Sequence, residues 1–265
     1  MRIALGLEYD GKHFCGWQSQ ASGCGAQDAL EAALAQMAGH AVRVHAAGRT
    51  DTGVHALIQV VHFETETERP ENAWIRGINA HLPPALRVRW AQQVDTEFHA
   101  RFSAERRSYQ YLLQISPVAP ALLYGKVGWY HRPLDLALMQ EAATHLIGEH
   151  DFSAFRAAEC QAKSPIKNLQ QATITQHGEL MLFQFSANAF LHHMVRNLVG
   201  SLVYVGKGDH SPSWMVELLQ AKDRAQAAPT FAPDGLYLTG VHYDAKWKLP
   251  ACERTLDFMR TDKAS

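Results

Sequence analysis

Glycine-rich phosphate loops, H-E-x-x-H and C-x-x-C pairs are all missing from these 265 residues, which removes the usual sequence signs of nucleotide hydrolysis and of zinc sites. Cysteine is scarce. Cys15, Cys24, Cys160 and Cys252 are too few and too irregularly spaced for a disulfide framework, so a reducing compartment is expected. No apolar run approaches the roughly 20 residues that a membrane-crossing helix needs, and MRIALGLEYDG reaches acidic residues too early for a signal peptide. Net charge is nearly absent too, −1 from 25 basic and 26 acidic residues, which argues against indiscriminate coating of nucleic acid. These absences leave a cytoplasmic enzyme or binding protein.

What is present suits a soluble globular chain: 47% hydrophobic and 19% charged residues, enough to bury a sizeable core. Basic residues gather locally, Arg101 with Arg106 and Arg107, and Lys163 with Lys167, so a basic cleft is compatible with the neutral total. Fifteen histidines invite a metal reading. His192 and His193 are adjacent, however, and on a helix would point about 100° apart, so no metal site is expected.

Periodicity organises the chain. Residues 2–9 alternate Ile3, Leu5, Leu7 and Tyr9 against Arg2, Ala4, Gly6 and Glu8, the pattern of a half-buried strand ending in the turn signal Asp10-Gly11. Leu30, Ala33, Leu34 and Met37 predict a helix over 26–38, stopped by Gly39. Strand-like VRVHA and ALIQVVHF follow, then a helix over 71–82 ending before Pro83-Pro84, and a strand RVRWAQQV. A second series begins near Arg101. It holds a strand over 108–115, a helix over 135–147 closed by Gly148, strands over 170–176 and 180–186, helices over 190–205 and 213–221, and a last strand LYLTGVHY. The inferred fold is α+β: two similar lobes, each a largely antiparallel sheet with helices on one face, and an active cleft between them. The expected divisions are 1–104, 105–250 and a polar, frayed tail over 251–265.

The segment with chemical content is GRTDTGVHA, residues 48–56. An Asp in a turn ordinarily bonds nearby backbone N–H groups. Here Arg49 and Asp51 lie two apart, on one side of an extended segment, and a neighbouring guanidinium favours an ionised carboxylate suited to a nucleophile. Aspartic proteases share D-T-G but need two carboxylates around one proton. No second D-[ST]-G occurs. The phosphoryl-aspartate sequence of ion pumps fits worse, since the following Lys is missing.

YDGKHFCGWQ (9–18), GRTDTGVHA, NAHLP (79–83), FHARFSA (98–104), RSYQY (107–111), DFSAFR (151–156), NAFLHHMVRNLVG (188–200) and GLYL (235–238) together resemble the tRNA pseudouridine synthase A family, in order over nearly the whole chain. The resemblance implies conversion of uridine to pseudouridine at positions 38, 39 and 40 of the tRNA anticodon arm, without cofactor or metal, by a homodimer. It implies that Asp51 is the catalytic aspartate, either attacking the sugar or promoting a glycal. It also implies that Tyr109 stacks on the flipped uracil, its hydroxyl being a candidate acceptor for the C5 proton. Arg196, which alone reads as a solvent-facing helix residue, would point at Asp51. Arg49 would help extrude the nucleotide or hold its phosphate, and Leu236 would line the uracil pocket. A non-catalytic RNA-binding protein on the same fold is the second reading, with Asp51 dispensable.

Overall fold

The computed structural model describes residues 1–256. Strand β1, Arg2–Tyr9, lies between β3, His55–Glu64, and β4, Leu86–Val94, antiparallel to both. Helix α1, Ala26–Ala38, occupies the predicted residues and stops at Gly39, whose φ of 78° is the left-handed value that glycine adopts at least cost. Helix α2, Glu71–His81, ends before the Pro83-Pro84 pair and buries Trp74 edge-on to Phe63 of β3. VRVHA is mostly not a strand. Only His45–Ala46, β2, joins the sheet, beside β3.

The second half adds β5 (Ala104–Ile115), β6 (Gly128–Tyr130), helix α3 (Leu136–Thr144), β7 (Gly148–Asp151), β8 (Ile166–His177), β9 (Leu180–Ala187), α4 (Met194–Gly206), α5 (Trp214–Ala221) and β10 (Leu236–Tyr243). The ten strands among the described residues form one sheet, β4-β1-β3-β10-β5-β9-β8-β7, with β2 on β3 and β6 on β5. The sheet is largely antiparallel, and the α+β class holds. Two pairs are parallel. One, β5 with β6, is marginal to the site; the other, β10 with β3, is a short match of Tyr237 to His55 and Leu238 to Ala56 that joins the strands of the two halves.

Three local expectations fail for physical reasons. Gly148 opens β7 at φ 110° rather than closing a helix, because α3 already ends at Thr144. β1 is covered on both faces: Ala4 is fully buried, and the Trp90 indole lies where a Cβ on Gly6 would sit, 2.1 Å away. Residues 251–256 do not fray. Val241 donates to the Cys252 carbonyl at 2.9 Å, Arg254 to that of Thr239 at 2.8 Å, and Leu256 is buried, so the segment straps the sheet alongside β10. The rest of the expected tail lies outside the described residues.

Cys15 and Cys24 form a disulfide in a chain expected to have no disulfide framework; the Cys15 N–H also donates to the Cys24 carbonyl at 2.9 Å. The two cysteines meet because residues 15–24 fold back into a closed loop. No helix among the described residues is long and apolar enough to cross a membrane.

Candidate active site

The segment 48–54 leaves β2 and enters β3 through a turn closed by Val54 N–H donating to the Asp51 carbonyl at 3.1 Å. Gly53 is required there twice over. Its φ is +83°, and a Cβ on it would lie 2.9 Å from the Pro233 ring. Thr50, buried, shares a hydrogen bond of 2.7 Å with the Tyr9 hydroxyl at the end of β1, while its carbonyl accepts from Trp17 N–H at 3.0 Å. Gly16 presses against the same turn, where a Cβ would sit 2.9 Å from the Thr50 oxygen. Gln59 of β3 donates to the Gly48 carbonyl at 2.8 Å. The turn is thus held from four directions without using the Asp51 side chain.

That side chain meets the N-terminus of α4 instead. Arg196 places one guanidinium nitrogen 3.0 Å from Asp51 Oδ2, and its Nε donates to the Phe231 carbonyl at 2.8 Å. The two side chains are 13% and 18% exposed, so the pair is shielded but reachable. The geometric expectation that Arg49 is the companion of Asp51 is corrected: Arg49 reaches Gln161 Oε1 at 3.2 Å, and the guanidinium on Asp51 comes from 145 residues further along the chain. The alternative of an Asp serving only its own turn loses support, because the carboxylate faces another element.

His192 Nε2 lies 3.2 Å from Asp51 Oδ1 and His193 Nε2 3.4 Å from Oδ2, with the rings 4.0 Å apart. The 100° separation of a helix, expected from a helix over 190–205, does not apply to them. α4 begins at Met194, and His193, its N-cap, has the left-handed φ of 62° that swings its ring toward its neighbour's. Burial pushes the His193 imidazole below its usual pKa, against the opposing pull of Asp51, which favours a neutral ring. The ligand atoms of Asp51, His192 and His193 lie within 4.8 Å of one another, a spacing that a metal ion can bridge. Arg196 already supplies positive charge to Oδ2, which weighs against a second cation there.

Tyr109 sits on β5 opposite Leu238 of β10 and Phe185 of β9, 9% exposed, with Phe190 edge-on at 5.0 Å. Its hydroxyl is 4.0 Å from the Cβ position of Gly48, beside the entrance to the Asp51 turn. Burial, reinforced by Tyr9 and Asp51, raises its phenol pKa well above the ordinary value. Leu236 opens β10, 5% exposed and opposite Tyr111. It follows the Pro233 loop that packs on Gly53. Asp51 and Arg196 are therefore in contact, Tyr109 borders their turn, Leu236 lies one loop away, and Arg49 points outward.

Several organising residues escaped the sequence reading. His55, the last polar residue of the motif, is 2% exposed; its Nε2 lies 3.0 Å from the Gly125 carbonyl and 3.1 Å from that of Asp234, while Nδ1 accepts from Gly11 N–H at 3.1 Å. It pegs three loops together. Arg107, read as part of a basic cluster, is turned inward and donates to the carbonyls of Ala47, Arg101, Ala104 and Asn188. Arg106 likewise engages His242 at 3.0 Å, so of the three only Arg101 stays exposed. The R-R-S-Y context of Arg106 and Arg107 carries no signal that separates inward from outward arginines.

A family profile described as tRNA pseudouridine synthase matches residues 7–103 and 142–244. The chain is 62% identical over 256 residues to the tRNA pseudouridine synthase A of Methylobacillus flagellatus, covering 97% of this chain and 98% of that one. Against the protein of the same name from Chromobacterium violaceum, identity is 61% over 255 residues, with 96% and 97% covered. A third relative of that name, from Dechloromonas aromatica, is 60% identical over 250 residues, with 94% and 95% covered.

Proposed function

Because the chain belongs to the tRNA pseudouridine synthase family, we propose that it isomerises uridine to pseudouridine at positions 38, 39 and 40 of the tRNA anticodon arm, with Asp51 as the catalytic carboxylate. The observation that carries the assignment of Asp51 is its pairing with Arg196, a side chain of α4 aimed at a carboxylate that its own turn does not use.

In this isomerisation the bond from ribose C1′ to uracil N1 breaks, the base turns over, C1′ bonds to C5, the hydrogen on C5 leaves as a proton and N1 takes up one from solvent. Electrons balance without a redox partner. A carboxylate can start the sequence by attacking C1′ or by taking the C2′ proton to give a glycal, and Arg196, bonded to Oδ2, holds it in place in either route. The base must first leave its stack. Tyr109 offers a flat ring beside the turn, Leu236 an apolar wall, and Arg49, exposed and bonded to Gln161, a cation for the displaced backbone. Tyr109 is neutral near pH 7, so its stacking role outweighs a role as base in the free enzyme.

Residues 1–104 and 105–250 act as two lobes around this cleft, and resemblance to the family supports a homodimer working in the cytoplasm. Recognition of a folded arm relies on backbone and 2′-hydroxyl contacts more than on base edges, and affinity is expected to fall with salt. The direct check is to map pseudouridine in an unmodified tRNA carrying uridines at 38, 39 and 40 after incubation with the protein. Conversion confined to those positions is expected; conversion elsewhere, with those three untouched, contradicts the site assignment.

A further inference from the structure

Two nitrogen-bearing side chains lie close to one oxygen of Asp51, while the other oxygen faces a more exposed ring. Oδ2 has Arg196 at 3.0 Å and His193 at 3.4 Å; Oδ1 has His192 at 3.2 Å, whose side chain is 40% exposed against 27% for His193. We propose that His193 is a positioning residue that, with Arg196, holds Oδ2 so that Oδ1 is the oxygen presented to the sugar. The inference rests on Asp51 being the catalytic carboxylate.

The backbone supports it. A left-handed conformation is unfavourable for a residue with a Cβ and persists only where surrounding contacts impose it, commonly at functional sites. Next to His193 one such contact is visible: Ala157 N–H donates to the His192 carbonyl at 3.0 Å, while the His193 carbonyl accepts the first bond of α4 from Asn197 N–H at 2.9 Å. The chain enters α4 without a side-chain cap at this position. A serine, asparagine or aspartate there would cap the helix better, so the imidazole is not explained by helix stability. Its position beside Oδ2 explains it. Arg196 is fixed by its second bond to Phe231 and the chain before His193 by the bond from Ala157, so the two side chains beside Oδ2 are anchored to different segments. They set the carboxylate plane, leaving the lone pairs of Oδ1 for the reaction once substrate displaces the His192 ring.

The test is His193→Gly. Glycine takes the left-handed conformation without strain, so this variant keeps the backbone and deletes the ring. Melting temperature, tRNA affinity and the single-turnover rate at saturating enzyme are measured on unmodified tRNA, beside wild type and Asp51→Asn. A positioning role requires an unlowered melting temperature, affinity within about twofold, and a rate reduced by roughly 30-fold or more, since small misplacements of a reacting group cost up to about 100-fold. Added imidazole should restore part of that rate. If the glycine variant fails to fold, His193→Asn, also tolerant of this conformation, is measured in the same way. A rate within about threefold of wild type in the folded variant overturns the proposal, because a misplaced nucleophile cannot leave the chemical step untouched. Inactive wild type would bring down the functional reading as well. Active wild type with inactive Asp51→Asn and an unimpaired His193 variant brings down this inference alone.

Discussion

Asp51→Asn is expected to bind tRNA as wild type does and to form pseudouridine at least roughly 1,000-fold more slowly in single turnover, a loss of the size seen when one member of a catalytic unit is removed. The substitution is nearly isosteric, and the turn does not depend on the side chain, being closed by the Asp51 carbonyl and by Thr50, Trp17 and Tyr9. What disappears is charge. An amide oxygen can still accept from Arg196, but it neither attacks a sugar carbon nor takes a proton from one. Circular dichroism and a melting curve would show the fold retained. A rate within about tenfold of wild type would remove Asp51 from the chemistry and leave the chain as a binding protein on this fold.

Arg196→Lys should cost roughly 100-fold in the same rate with little change in affinity, because the positive charge survives and only the planar fork is lost. The fork makes two bonds at once, Nε to the Phe231 carbonyl at 2.8 Å and a terminal nitrogen to Asp51 Oδ2 at 3.0 Å. A single ammonium cannot span both. Whichever partner it abandons, the carboxylate loses either its donor or the anchor that fixes that donor, and at 13% exposure no bulk water fills the gap freely. Wild-type turnover in this variant would show that charge near Asp51 suffices and that its direction does not matter.

The elements easiest to read in the sequence were those whose own residues decide their geometry. α1 runs over its predicted 26–38 because Leu30 and Leu34 keep helical phase and Gly39 stops it. α2 ends where Pro83 forbids continuation. The Asp51 turn was legible from its glycine and flanking threonines, and the family resemblance pointed to Arg196 before any geometry did. The failures share one cause, contacts between distant segments. N-A-F-L-H-H continues the apolar pattern of α4, so nothing local shows that the helix starts only at Met194; the turn at His193 depends on backbone bonds from the loop around Ala157. Trp90 covers the second face of β1, and its Nε1 donates to the Ala251 carbonyl at 3.3 Å, a contact spanning most of the chain. Arg107 reads as surface charge until four carbonyls are found around it.

One hydrogen distinguishes this reaction from binding and from proteolysis. In pseudouridine formation C5 becomes the carbon bonded to ribose, so the hydrogen it carried must pass to solvent. Unmodified tRNA with tritium at uridine C5, incubated with the wild-type protein and a chelator, should therefore release tritium to water, at a level matching no more than the uridines at positions 38, 39 and 40. Binding alone releases none, and neither does proteolysis. Absence of release from folded wild-type protein, with an active pseudouridine synthase releasing tritium from the same tRNA in parallel, would contradict the assignment.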